Sequence, residues 1–206
     1  MTKKIMFNDK YCLTQAVLAG QKTMTRRIEK PTEMVDGYTM EDVVTIFHEY
    51  SSLLNAHSFS LCDNEKKIGV LNPRYQVGEV IAIAQPYKDI IQCLPMYSDA
   101  ILGVDGIPHK EFKAGWTNKM FVKAGLMPHH IRITDVKVEC LQDISEEDIL
   151  KEGIYELAFN YYLPNGYGKS FNRPREAFAY LITLVSGKGM WERNPWVVAY
   201  SFELVD

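Results

Sequence analysis

Cysteine is scarce and scattered in this sequence. Its four cysteines, Cys12, Cys62, Cys93 and Cys140, form no C-x-x-C pair. That argues against a zinc knuckle or a redox dithiol and fits reduced thiols in a cytoplasm. No uninterrupted apolar run approaches a membrane span. The opening MTKKIMFNDK is basic but lacks the apolar stretch of a signal peptide. A soluble, cytoplasmic protein is therefore expected. Neither charge dominates: 23 Lys and Arg against 26 Asp and Glu give a formal net charge of −3. A global positive field that coats nucleic acid is excluded, and any phosphate contact must come from a local patch. The chain has no G-x-S-x-G, H-E-x-x-H or Walker sequence, and GKGMW is too short for a phosphate loop. His129-His130 has neither the spacing nor the companions of a metal site. No metal and no cofactor is expected.

What remains is an ordinary globular composition, with 206 residues, 47% apolar and 24% charged. That length buries a real core. No internal repeat or low-complexity linker is visible, so a single domain over 1–206 is expected, with insertions at about 32–73 and 87–119.

The elements are short. FNDKYCLTQAVLAG reads as a helix capped by Asn8 or Asp9, with Leu13, Ala16 and Val17 inward and Gly20 as its stop. Thr23 to Ile28 alternates like a strand. MEDVVTIFHEYSSLL suggests a helix, and FSLCDNEKKIGVL a hairpin turning at Asp63-Asn64. Val80 to Ala84 is a buried strand, whereas Tyr87 to Lys119 is rich in Pro and Gly and has little regular structure. In HHIRITDVKVECLQDI the apolar phase flips at Thr134-Asp135, as a bulge would make it. SEEDILKEG is a helix with Ser145 as N-cap and Gly153 as stop. RPREAFAYLITLVSG is the longest helix, with Phe178, Leu181, Ile182 and Val185 as its face. NPWVVAYSFELV closes the chain as a strand. Short strands mixed with short helices, without strand-helix alternation, indicate α+β: a small, strongly bent sheet or barrel with helices at its ends.

Two places carry unusual chemistry. AGQKTMTRRIEK gathers a lysine, two threonines and two arginines at a helix-to-strand boundary. Burial and the neighbouring Arg26 and Arg27 would depress the Lys22 pKa, so that the amine could take a proton from Thr25. In a regular strand these two side chains point to opposite faces, so they meet only if the turn runs through Lys22 and Thr23. The plainer reading is a strand start with solvated charges. Glu152 ends its helix, where the dipole disfavours a carboxylate. It is either exposed, the commoner case, or held there by a partner such as Lys22. Asn194, Trp196 and the aromatics Tyr87, Trp116 and Trp191 could stack a base, although tryptophan is more often core.

These blocks resemble the ASCH domain, a relative of the PUA RNA-binding fold. AGQKTMTRR fits the family's G-x-K-x-x-x-x-R signature through Gly20, Lys22 and Arg27. YQVGEVIAI, VKVECLQDISEEDILKEGI and AFAYLITLVSGKGMWERNPWVVAYSFEL follow in the family's order, the last resembling the longer phage-like members. The resemblance implies a PUA-like barrel with a cleft lined by the signature, and binding of single-stranded RNA or a modified nucleoside. Gly20, Arg26, Arg27, Asn194 and Trp196 would be ligand contacts. A compact bacterial branch deacetylates acetylcytidine, and its catalytic set falls on Lys22, Thr25 and Glu152. One departure is Ala84-Gln85, where phage-like relatives usually carry Arg-Glu. Three readings stand: an RNA- or nucleotide-binding module, an amidohydrolase, and a protein-interaction module of mobile-element origin.

Overall fold

The computed structural model describes residues 3–91, 98–103, 105–164, 166 and 168–205. Cys93 lies outside them. The architecture is α+β, mostly sheet with short helices. The main sheet joins β1 (Lys4–Ile5), β7 (Val80–Ile83), β8 (His130–Cys140), β11 (Trp196–Leu204) and β2 (Met24–Arg27), in that spatial order. β1 and β7 run parallel, and every other pair is antiparallel. The bulge falls where the apolar phase flips: Ser201 faces Asp135 and Phe202 faces Ile133, leaving Thr134 as the extra residue.

Main-chain pairing leaves the sheet open between β1 and β2 among the described residues. The gap is spanned instead by Arg27, whose Nη2 donates to the Met6 carbonyl at 2.7 Å.

Residues 32–73 are more regular than an insertion of weak pattern suggests. They contain a four-stranded antiparallel sheet ordered β3 (Glu33–Met34), β6 (Lys66–Leu71), β5 (Ala56–Asp63) and β4 (Thr45–Ser51). The hairpin at Asp63-Asn64 is present, but the expected helix is not. Thr45 to Ser51 pairs residue for residue with β5, so ladder bonding to β5 prevails over a weak helical pattern rich in β-branched and aromatic side chains. Phe59, Leu61, Ile68 and Leu71 from this sheet join the main core.

The described residues of 87–119 form short helices, α2 (Tyr87–Ile90), α3 (Ser98–Ile101) and α4 (Lys113–Thr117), around a satellite core of Ala84, Tyr87, Ile90, Ile101, Phe112, Val122 and Met127. Lysines fasten this region to the N-terminal segment. Lys4 Nζ donates to the carbonyls of Met120 and Val122 at 2.6 and 2.7 Å. Lys119 Nζ donates to the Phe7 carbonyl and, at 2.7 Å, to Asp9 Oδ1.

Of the remaining helices, α1 (Leu13–Leu18) precedes β2, and α5 (Glu146–Lys151) follows β8. Ser145 caps α5 by accepting from the Asp148 N–H at 3.1 Å. A small hairpin, β9 (Tyr155–Leu157) and β10 (Asn160–Tyr162), leads to α6 (Pro174–Ser186) and α7 (Met190–Arg193). Phe178 and Leu181 of α6 are buried, but Val185 is 39% exposed. The expected apolar face of α6 thus runs from buried to partly exposed along the helix. No helix among the described residues is long and apolar enough to cross a membrane.

Candidate functional site

The turn after α1 decides the site. Gly20 takes φ +71°, a conformation that favours glycine, and the N–H groups of Gln21 and Lys22 both return to the Ala16 carbonyl. The Thr23 N–H then donates to Lys151 at the end of α5, 2.8 Å away. Lys22 therefore sits in the turn and not on the strand, which frees it from the alternation of β2 and lets it share a cavity with Thr25. Gly20 shapes this turn but does not line the cavity.

Lys22 is 2% exposed and Glu152 5%. Lys22 Nζ donates to Glu152 Oε2 and, at 3.0 Å, to the Glu152 main-chain carbonyl. Arg26 Nη1 donates to the other carboxylate oxygen, Oε1, at 3.0 Å. A carboxylate that opposes the α5 dipole is therefore held by two cations, and the exposed reading of Glu152 is corrected. Burial pulls the Lys22 ammonium below its ordinary pKa, the Glu152 carboxylate opposes that fall, and Arg27 and Arg26 add to it.

Arg26 was expected to meet ligand, and here the structure differs. Its side chain is 1% exposed, and its donors reach Glu139 at 2.6 and 2.8 Å, Asp148 at 3.3 Å and Glu152 at 3.0 Å. Lys137 closes the network from outside, at 2.6 Å from Asp148 and 3.1 Å from Glu139. With each of its nitrogens directed at carboxylate, Arg26 is a clamp that fixes Glu152.

Arg27, on the opposite face of β2, is less satisfied. Nη2 holds the Met6 carbonyl, but its buried Nε has no hydrogen-bond partner among the described residues. Burial lowers its pKa also. Thr25 is 6% exposed, and its hydroxyl makes no hydrogen bond among the described residues. An orphan donor and an unpartnered hydroxyl are what a site awaiting a carbonyl group would present.

Lys22, Thr25, Arg26, Arg27 and Glu152 line one cavity of about 310 Å³. Met6, Phe7 and Leu13 form one wall; Phe178, Leu181, Ile182 and Val185 of α6 form the other. Sequence patterning gave no sign that Met6 and Phe7 belong here. Glu139 and Asp148 were equally hidden, although the alternation of VKVEC does put Lys137 and Glu139 on one face.

Asn194 and Trp196 are not brought to this cavity. They line a separate groove of about 460 Å³ with Ile28, Glu29 and Arg193. Asn194 Oδ1 accepts from the Gln142 N–H at 2.6 Å, and Trp196 Nε1 donates to the Val43 carbonyl at 3.2 Å. Both side chains tie loops to the sheet. Tyr87 belongs to the satellite core, and Trp191 packs edge-on to Phe178. Ala84 and Gln85 are buried, and Gln85 Oε1 has no partner among the described residues. Both positions are therefore covered by the fold. No group of three or more His, Cys, Asp or Glu among the described residues is arranged to hold a metal ion. No family model, curated protein or solved structure matches the chain.

Proposed function

We propose that the Lys22 cavity takes a small acylated amine, of the size of an acylated nucleoside, and hydrolyses its amide. One observation carries this reading: a buried Lys22–Glu152 pair beside an unpartnered Thr25 hydroxyl and an unpartnered Arg27 Nε, all in one cavity. The resemblance to ASCH domains supports it, since the deacetylating branch would use Lys22, Thr25 and Glu152. The PUA-like fold is part of the proposal. Its support is the five-stranded, mainly antiparallel sheet with its Thr134 bulge and the Arg27 link between the open edges.

In the mechanism, neutral Lys22 accepts the proton of Thr25, and the resulting ammonium is held by Glu152. The threonine oxygen attacks the carbonyl carbon, and the π pair moves to oxygen, where Arg27 Nε–H donates to the oxyanion. Collapse re-forms the carbonyl and breaks the C–N bond, and the leaving amine takes the proton from Lys22. Water then cleaves the threonyl ester by the same proton path, releasing the acid and restoring Thr25.

Incubation with acetylcytidine tests the reading. Cytidine release by the wild type that vanishes in Lys22→Ala is expected. A folded wild type that releases none contradicts it.

A second reading, ligand binding without chemistry, draws on another observation. Lys22 Nζ faces Glu152 and makes no hydrogen bond to Thr25 among the described residues. Even so, RNA strand binding needs exposed cations to meet phosphates, and Lys22 and Arg26 are buried against carboxylates. A nucleoside-sized ligand fits better than a strand. A protein-interaction module gives no reason for a buried ion pair beside an open cavity.

A further inference from the structure

Next to the Lys22 cavity lies a smaller void of about 50 Å³, sharing Arg26, Ile182 and Ser186 with it. Its other walls are Ile28, Leu141, Met190, Pro195 and Val197, drawn from the ends of β2, β8 and β11 and from α7. The last turns of α6 border both spaces through Ile182 and Ser186. Arg26 contributes the one charge, and that guanidinium is held by Glu139, Asp148 and Glu152.

The size and lining together restrict what fills this space. A single water needs roughly 10–15 Å³ and two to four polar partners. The space is several times larger and open at its rim, and its lining side chains are mostly apolar. An apolar chain seated there would exchange water on those walls for dispersion contacts. Apolar surface continues to the rim, where Ile28 is 57% exposed. The two spaces share Arg26, Ile182 and Ser186 as walls, so a chain on a carbonyl bound in the Lys22 cavity would reach the smaller space past those residues. The amine portion would lie toward the wider space between Asn8 and the partly exposed Val185.

Resting on the hydrolase reading above, we infer that this void is an acyl-chain subsite and that the preferred amide carries an unbranched acyl group longer than acetyl. The chain enters past Ile182 and Ser186 and ends against Leu141, Met190 and Val197. Ile182 and Met190 then set the chain length accepted.

The test is a series of N-acylcytidines: acetyl, propanoyl, butanoyl and octanoyl. kcat/KM should rise roughly fourfold per methylene through butanoyl, the factor expected for burying a CH2 group, and fall at octanoyl when the space is full. A flat series, or a fall from acetyl to propanoyl, overturns the inference. Met190→Trp, checked for folding by circular dichroism and thermal melting, should erase the preference. Ile28→Trp at the rim serves the same purpose if the first variant does not fold. A preference kept in a folded variant also overturns the subsite. If no member of the series is hydrolysed, the same compounds are read by calorimetric binding to the wild type. Affinity that tightens with chain length retains the subsite while the hydrolase reading falls. Affinity indifferent to chain length removes the subsite.

Discussion

The two faces of β2 carry adjacent arginines in opposite conditions. On one face Arg26 is enclosed by Glu139, Asp148 and Glu152, each within 3.3 Å. On the other, Arg27 has among the described residues a single hydrogen bond, to a main-chain carbonyl, and a buried nitrogen with none. A fully bonded guanidinium holds structure; one with an unused donor can hold a ligand. Basic residues side by side in sequence are therefore not one patch. Strand alternation sends them to different tasks, and only burial and partners tell which is which.

The contrast is broken most severely by Arg26→Ala. Removing the cation leaves three carboxylates that share only the lysines at their edges, Lys22, Lys137 and Lys151, and unfolding stability should fall by about 3 kcal/mol. Denaturant melting measures it, and a loss no greater than that of Arg27→Ala would erase the distinction. Arg27→Ala should instead lower kcat on acetylcytidine by roughly 10²–10³-fold with a much smaller change in stability, as for loss of one oxyanion donor.

The pH dependence sharpens the same point. Burial, Arg27 and Arg26 hold the Lys22 pKa below 10.5, so kcat/KM should rise with pH to a midpoint under that value. Glu139→Gln leaves more of the Arg26 charge free to act on Lys22, and the midpoint should move to lower pH. A profile unmoved by this change would detach Arg26 from the chemistry. In the clamp itself, burial pushes the Asp148 carboxyl up, but Lys137, Arg26 and Lys151 hold it below 3.8 overall. Its contribution to stability is thus present above that value and is lost as pH falls through its folded pKa. Asp148→Asn should destabilise at neutral pH, and the difference should shrink in acid. The smallest effect belongs to the separate groove. Asn194→Ala should cost about 1 kcal/mol through its lost hydrogen bond and leave turnover unchanged.

Much of the framework was legible where the cause is local. Ser145 as N-cap, Gly153 as stop, the Thr134 bulge, the Asp63-Asn64 hairpin and the turn that carries Lys22 are set by residues within a few positions of one another. β4 was misread because its pairing with β5, and not its own periodicity, decides its conformation. The burial of Glu152 was hidden for a related reason. Its partners Lys22 and Arg26 lie 130 and 126 residues earlier in the chain, and nothing local marks the encounter. Arg26 looked like a ligand contact because its charge is visible in sequence, whereas Glu139 and Asp148, which neutralise it, come from β8 and α5. Met6 and Phe7 became cavity walls through the Arg27 bond and the Lys119 tether, both long-range.

The most direct measurement is the mass of the protein quenched rapidly during turnover of acetylcytidine, followed by mapping of the modified residue. An acetyl ester on Thr25, formed by the wild type and absent from Lys22→Ala, is the result the account predicts. Turnover that proceeds with no acyl group on Thr25, or with the group on another residue, would contradict it.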